Sequence, residues 1–461
     1  MQRKNFNLWN DKCNLNSNTI SIVITGKVNM DRYLERRVQL SDKMDVNSVA
    51  VVFGATKFIR NGDQEYPFRQ DSDFWYLTGI NEPNAILIIE KKPSEIHHYL
   101  FCKETSEKEK QWFGESILTK GEFSSFDNIF ELKELEDKLF NKLNQANTLY
   151  HAFSRDVKND ECVLSVIEKL RIYGNWSEEW KAPEIIKDYR SIVHELRVFK
   201  SLEEQSCLSQ AADITARTAK KVIDIIDSGV SERKVAAFIE YEFRNKNASG
   251  CAFESIIASG SNSCIIHHLH SDKKLRDGEL LLIDIGCEYQ NYAGDISRTF
   301  PVSGYFTEEQ KRIYGIVLNA QKKAISQLQP GVSLYDLQQE VRQFFLYSLA
   351  ELGLISSQER KDDILNIWYP HDIGHYIGLD LHDVGLSGIQ QNRPLEEGML
   401  VTIEPGLYFT SKNCPDNRYC NIGIRIEDTV LITRNGHKIL TNGCPKEIDE
   451  IEQLMGNKNR G

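Results

Sequence analysis

The chain has 461 residues, 41% hydrophobic and 27% charged, with a net charge of −11. That length exceeds what a single core normally accommodates, so two domains are expected, and the acidity argues against nucleic acid or an anionic membrane as the main partner. No apolar run approaches the roughly 20 residues that cross a bilayer, and the ten cysteines are scattered with no CxxC pair, the pattern of reduced thiols. The apolar run "ISIVITG" near the amino terminus is too short and too β-branched for a signal peptide, so a cytoplasmic protein is expected.

Residues 1–30 carry no assignable pattern. From 31 to 196, strand-like runs ("SVAVVFGAT", "NAILIIEKK", "HHYLFCK") alternate with amphipathic segments, which is the pattern of an α/β domain. It ends in "DYRSIVHELRVFK", read as a connecting arm. A second domain, residues 197–461, is organised differently. Its first helix starts at a Ser-x-x-Glu capping box at Ser201 and is expected to stop at Gly229, and a second starts at Ser231. Strand-like "FESIIASG", "CIIHHLH", "ELLLIDIGCEY" and "YAGDISRTFPV" follow. Two more helices, "TEEQKRIYGIVLNAQKKAISQLQPG" and "SLYDLQQEVRQFFLYSLAELG", then lead to a further β-rich run ending in "GIRIEDTVLITRNG". A helix pair followed by strands, occurring twice, predicts an internally duplicated unit.

The chemistry gathers in the two β-rich runs. Asp284 interrupts an apolar strand with no Lys or Arg in that run, and Asp295 follows in the next segment, so a cation from elsewhere is required. The second run adds His375 in "HDIGHYIGLDLHDVG", Glu404 in "VTIEPGLY" and Glu427 in "GIRIED". Four carboxylates and an imidazole overfill a single zinc site but suit two oxygen-preferring divalent cations sharing bridging carboxylates. Taken singly, Asp295 beside Gly294 reads as a turn residue, and a Glu paired with Arg425 as an ordinary polar contact. Five together in two related halves point to a metal centre. Cys287, close to Asp284, is read as packing.

The order Asp, Asp, His, Glu, Glu in "LLIDIGCEYQNYAGDISRTFPV", "HDIGHYIGLDLHDVG", "TIEPGLY" and "GIRIED" resembles the pita-bread metallopeptidases, and among them the aminopeptidase P (Xaa-Pro aminopeptidase) family. "FRQDSDFWYLTGINEPNAILII", "WFGE" and "VHELRVFKSLEE" extend the likeness through the first domain and the junction. The resemblance implies a two-domain α/β protein with a pita-bread catalytic domain and two Mn²⁺ per chain, Zn²⁺ or Co²⁺ being alternatives. Asp284 would chelate one ion, Asp295 and Glu427 would bridge both, and His375 and Glu404 would complete the other. It also implies that a hydroxide shared by the two ions attacks the Xaa–Pro bond. Glu404 would be the proton acceptor and His382 the donor to the oxyanion, with His267 completing the catalytic set; His267, His371, His382 and Arg425 would bind substrate. Peptides with proline in second position are the implied partners, and a homo-oligomer, dimer or tetramer, the implied assembly.

His268 and His270 read as surface or packing residues, since strand alternation would turn His268 away from the face of His267. Trp75 and Trp112 are either site aromatics from the first domain or core residues. After "HDVG" the chain has Leu386, Ser387 and Gln391 where many relatives have Tyr and Arg. Tyr408–Asn421 reads as a polar loop at the rim of the site. Prolidase, which cleaves only dipeptides, and a catalytically inactive peptide-binding homologue are the alternative functions.

Overall fold

The computed structural model describes residues 31–115, 125–355, 361–385, 392–414 and 416–458. The expectations placed on residues 1–30, Leu386, Ser387 and Gln391 fall outside them.

The first domain runs α1 (Asp31–Lys43), β1 (Ser48–Phe53), the hairpin β2 (Ile59–Asn61) and β3 (Gln64–Glu65), α2 (Ser72–Thr78), β4 (Ile86–Lys91), β5 (Ile96–Cys102), α3 (Glu107–Phe113), β6 (Asn128–Glu131), α4 (Leu135–Leu143), β7 (Thr148–Tyr150), α5 (Val157–Gly174) and β8 (Ile185–Lys187). The three strand-like runs become β1, β4 and β5, neighbours in a mixed sheet of order β6–β5–β4–β1–β7–β8. β1 is buried on both faces, which is why its run is continuously apolar. Val49 and Val51 pack toward α4 and α5, whereas Ala50 and Val52 pack toward α1 and α2. Helix α2 is capped by the Asp71 carboxylate, which accepts from the Phe74 N–H at 2.9 Å, and closes at Gly79 with φ +67°. A Cβ there would lie 2.3 Å from the Tyr33 ring.

The segment read as a connecting arm is instead a helix, α6 (Arg190–Val198). Its Ile192, Val193, Leu196 and Arg197 recur at helical spacing and face the core, a period that outweighs the mixed composition. The second domain continues with α7 (Leu202–Val222), α8 (Glu232–Asn245), β9 (Gly250–Cys251), β10 (Ile256–Ser259), β11 (Leu280–Ile285), β12 (Cys287–Tyr289), β13 (Tyr292–Ala293) and β14 (Ile296–Pro301). Then follow α9 (Glu308–Gln327), α10 (Leu334–Glu351), α11 (Lys361–Trp368), β15 (Leu400–Ile403), β16 (Gly406–Phe409), β17 (Ile422–Arg425), β18 (Asp428–Thr433), β19 (Gly436–Ile439) and α12 (Ile448–Lys458). Helix α7 ends seven residues before Gly229. The capping boxes at Ser201 and Thr307 form as expected, with Glu204 and Gln310 completing them. The helix pair α7/α8 precedes the sheet β10–β11–β14, and α9/α10 precedes β15–β18–β19. That is the repeated order the sequence implies.

"CIIHHLH" is not a strand. After β10 the chain makes a 3₁₀ turn over Gly260–Cys264 and a further turn through His267. Buried Glu232 of α8 is the cause: its carboxylate accepts from the Ser259 N–H and hydroxyl, the Asn262 amide, His268 Nε2, and the Ser271 N–H and hydroxyl. Satisfying that buried charge draws the segment off the sheet. His268 is held by Glu232 at 2.9 Å while His267 is exposed, so the separation comes from a hydrogen-bonded turn and not from strand alternation.

The two domains share a core in which Leu40, Phe74 and Leu77 meet Leu208, Tyr292 and Leu379. Arg36 pairs with Glu204 at 3.1 Å and Arg69 with Glu288 at 2.9 Å across the same boundary.

Candidate metal centre and active site

Strand pairing delivers the carboxylates. Antiparallel β11 and β14 set Asp284 opposite Ser297, with Asp295 just before β14. Glu427 sits between β17 and β18 and its N–H donates to the Ser297 carbonyl at 3.0 Å, joining the two halves of the domain. Glu404 follows β15, where its N–H donates to the Ile373 carbonyl at 2.7 Å and the Thr402 N–H donates to the His375 carbonyl at 2.8 Å. The segment 373–375 thus lies along β15, bringing His375 beside Glu404. Gly374 makes this approach feasible, since a Cβ there would lie 1.9 Å from the Thr402 carbonyl oxygen.

His375 Nδ1 lies 2.9 Å from the Tyr376 carbonyl, which only accepts, so Nδ1 carries the hydrogen and Nε2 presents its lone pair. That Nε2 is 3.4 Å from Asp295 Oδ2 and 3.6 Å from Glu404 Oε1. One ligand atom each from Asp295, His375 and Glu427 falls within a 4.8 Å group. Burial first, and then the charges of Asp284 and Glu404, push Asp295 well above the carboxylate range. Glu427 is pushed well above by burial and Asp295, and burial raises Glu404. Three carboxylate oxygens, Asp284 Oδ1, Asp295 Oδ1 and Glu427 Oε1, are buried without a hydrogen-bond partner. Oxygen donors left so, around an imidazole with a free lone pair, fit hard divalent cations.

Part of the positive charge required by Asp284 is Arg425, at 2.7 Å. Arg425 is fully buried and also donates to the Tyr408 hydroxyl at 2.8 Å and to Ser297 Oγ at 2.9 Å. Expected among the substrate-binding residues, Arg425 has Nε, Nη1 and Nη2 each donating to a neighbour in the cluster. Ser297 Oγ in turn donates to Glu427 at 2.9 Å. His371 Nδ1 faces the Asp372 carbonyl, so its Nε2 accepts from the Tyr408 hydroxyl at 2.8 Å. Burial, with Arg425 nearby, pushes His371 down to about 3 and keeps it neutral. His382 is exposed and stands edge-on to His375, ring centroids 4.4 Å apart; burial of part of its ring, His375 and His267 lower its pKa. His267 adds to the positive potential felt by both His382 and His371.

Tyr408 and Ser297 also belong to the site, with little in the sequence to mark them. Tyr408, which reads as the start of the rim loop, belongs to β16, a strand buried along its whole length. Ser297 lies two residues past Asp295, and that spacing was its only signal. His270 sits 3.9 Å from Glu254 and Trp75 packs edge-on to Tyr33, whereas Trp112 is 71% exposed on α3. The Cys287 thiol is buried, pushed up to about 12, and donates to the Ala211 carbonyl, a packing residue as expected.

Residues 206–434 match metallopeptidase family M24, and residues 33–150 match the aminopeptidase P N-terminal domain. The chain is 37% identical to the Xaa-Pro aminopeptidase of Escherichia coli, covering 93% of this chain and 98% of that protein. It is 32% identical to the mitochondrial intermediate cleaving peptidase 55 of Arabidopsis thaliana, covering 94% and 84%. The solved structure of Escherichia coli aminopeptidase P with the inhibitor Pro-Leu superposes with a TM-score of 0.90 at 36% identity, covering 94% of this chain and 100% of that one. Proline aminopeptidase P II from Yersinia pestis gives 0.89 at 36% identity, covering 93% and 99%. With both domains matched, in sequence and in fold, the chain belongs to the aminopeptidase P family of M24 metallopeptidases.

Proposed function

We propose that the chain removes the amino-terminal residue from peptides whose second residue is proline, by hydrolysis of the Xaa–Pro bond. The observation that carries this reading is the cluster of Asp284, Asp295, His375, Glu404 and Glu427, with three orphaned carboxylate oxygens, inside an aminopeptidase P frame. Those five residues would hold two divalent cations, Mn²⁺ by preference for a carboxylate-rich set, which when bound acidify water and polarise the scissile carbonyl. Glu404, beside that water, accepts its proton and returns it to the proline nitrogen. His382 donates to the oxygen on which charge develops. His267 and the ring of neutral His371 wall the proline, whose nitrogen offers no hydrogen to bond. The free α-amine meets the acidic cluster, which an acylated terminus cannot do.

Prolidase activity would require a group that captures a carboxylate directly after proline. The Nε, Nη1 and Nη2 atoms of Arg425 are all engaged within the protein, which favours longer peptides. Comparing Arg-Pro-Pro with Arg-Pro tests this: faster cleavage of the tripeptide supports the reading, and cleavage of the dipeptide alone overturns it. We further read the enzyme as a cytoplasmic homo-oligomer. The nine described cysteines are all free thiols, and the adjacent exposed Trp112 and Phe113 offer an apolar patch for assembly. Among the described residues no helix is long and apolar enough to cross a membrane.

A further inference from the structure

Helix α6 carries one residue whose contacts reach both domains. Arg197, only 3% exposed, donates from Nη1 to Asp73 of α2 at 2.6 Å. From Nη2 it donates to Asp380 at 2.7 Å and to Asp383 at 2.6 Å. The two aspartates flank His382 in the segment 378–385. Asp383 is also paired with Lys200 at 3.0 Å, and its N–H donates to the Tyr376 carbonyl at 2.8 Å. The first domain grips the same segment directly: Ser72 Oγ donates to Asp380 at 2.5 Å and Arg69 Nη2 to the Leu379 carbonyl at 2.5 Å. A buried guanidinium that makes charge-assisted bonds from two Nη atoms to carboxylates on separate segments ties those segments to one another. His382 itself is exposed, and beyond its edge contact with His375 its direction is set by the backbone on either side.

We propose that Arg197 is a positioning residue for His382, clamping the segment 378–385 between the two domains, so that docking of the amino-terminal domain is part of what aims the oxyanion donor. This rests on the role given to His382 above. The clamp accounts for a feature that metal chemistry does not: three carboxylates of two domains converging on one arginine, beside but outside the ligand cluster. Its consequence is that loosening the clamp lowers turnover through His382 and leaves metal content and KM nearly unchanged.

The test is a mutant cycle on the Mn²⁺-loaded full chain with Arg-Pro-Pro. Arg197→Lys keeps a charge among the buried carboxylates but loses the planar group whose two nitrogens span Asp73 and the Asp380–Asp383 side. Ser72→Ala removes only a hydroxyl, and it carries the test if the lysine variant folds poorly. Each is measured alone and in the His382→Ala background. We expect kcat to fall roughly tenfold for Arg197→Lys and roughly threefold for Ser72→Ala, with KM within about twofold and metal per chain unchanged. In the His382→Ala background neither change should slow the enzyme further. Equal fold-losses in both backgrounds, or no loss from either change in the parent chain, overturn the clamp while leaving the role of His382 intact. A fully active His382→Ala chain overturns the role of His382 and the clamp with it.

Discussion

Removing the metal should reverse the way stability depends on pH. Asp295, Glu404 and Glu427 are all raised by burial and mutual repulsion in the folded chain, so the metal-free folded state binds more protons there than the unfolded chain does. A raised carboxylate stabilises fully below its unfolded value near 4 and loses that stabilisation as pH climbs through its folded value. Each extra proton makes the chelated protein less stable by about 1.4 kcal/mol per pH unit across that window, or roughly 3–6 °C per unit for a domain of this size. Divalent cations displace those protons and remove the penalty, so the loaded protein lacks this slope. His371 and His98 act in the opposite sense, because their folded values are lowered to about 3 and about 4 and they stabilise as pH rises toward 6.5. They do so in both forms and cancel in the difference. Calorimetry with chelator and with saturating Mn²⁺, from pH 5 to 8, should show a melting-temperature gap that widens with pH. A gap that is constant, or narrows, would refute the argument that these carboxyls are protonated without metal.

Glu404→Gln keeps shape but removes the proton acceptor, and turnover should fall about a hundredfold to ten-thousandfold in steady-state assays. His268→Ala should leave kcat within about threefold but lower stability by about 1–2 kcal/mol in denaturant titrations, because buried Glu232 loses a donor; equal impairment of kcat in these two variants would contradict the assignment. Tyr408→Phe leaves Arg425 Nη1 and His371 Nε2 without a partner, a loss of roughly 1–3 kcal/mol for each group, read by the same titration. Arg298→Met strips Asp428 of its 2.8 Å partner in a fully buried site and should destabilise by about 3–5 kcal/mol, with Lys446 at 2.6 Å unable to compensate alone.

How much was legible varies with the range of the interaction. The capping boxes at Ser201 and Thr307 are local, and they formed where the spacing put them. The charge at Asp284 was legible as an anomaly, since a carboxylate in an apolar strand demands a partner. That Arg425 would be one, 141 residues further on, was not, because only the β16–β17 pairing and the packing of the two halves bring it there. Glu232 shows the reverse: one buried carboxylate collects the polar groups of residues 259–271 and overrides the strand-like apolar pattern of "CIIHHLH". Arg197 reads in sequence as one more cation in a mixed segment. Its significance exists only where Asp73, Asp380 and Asp383 meet.

The central claim is metal-dependent removal of one residue before proline. The most direct measurement is titration of Mn²⁺ into chelated protein with Arg-Pro-Pro, following products by mass spectrometry. The expected result is no turnover without metal, a plateau once two equivalents per chain are bound, and free arginine with Pro-Pro as the only products. Full turnover in exhaustively chelated protein, or cleavage at any other bond, would contradict it.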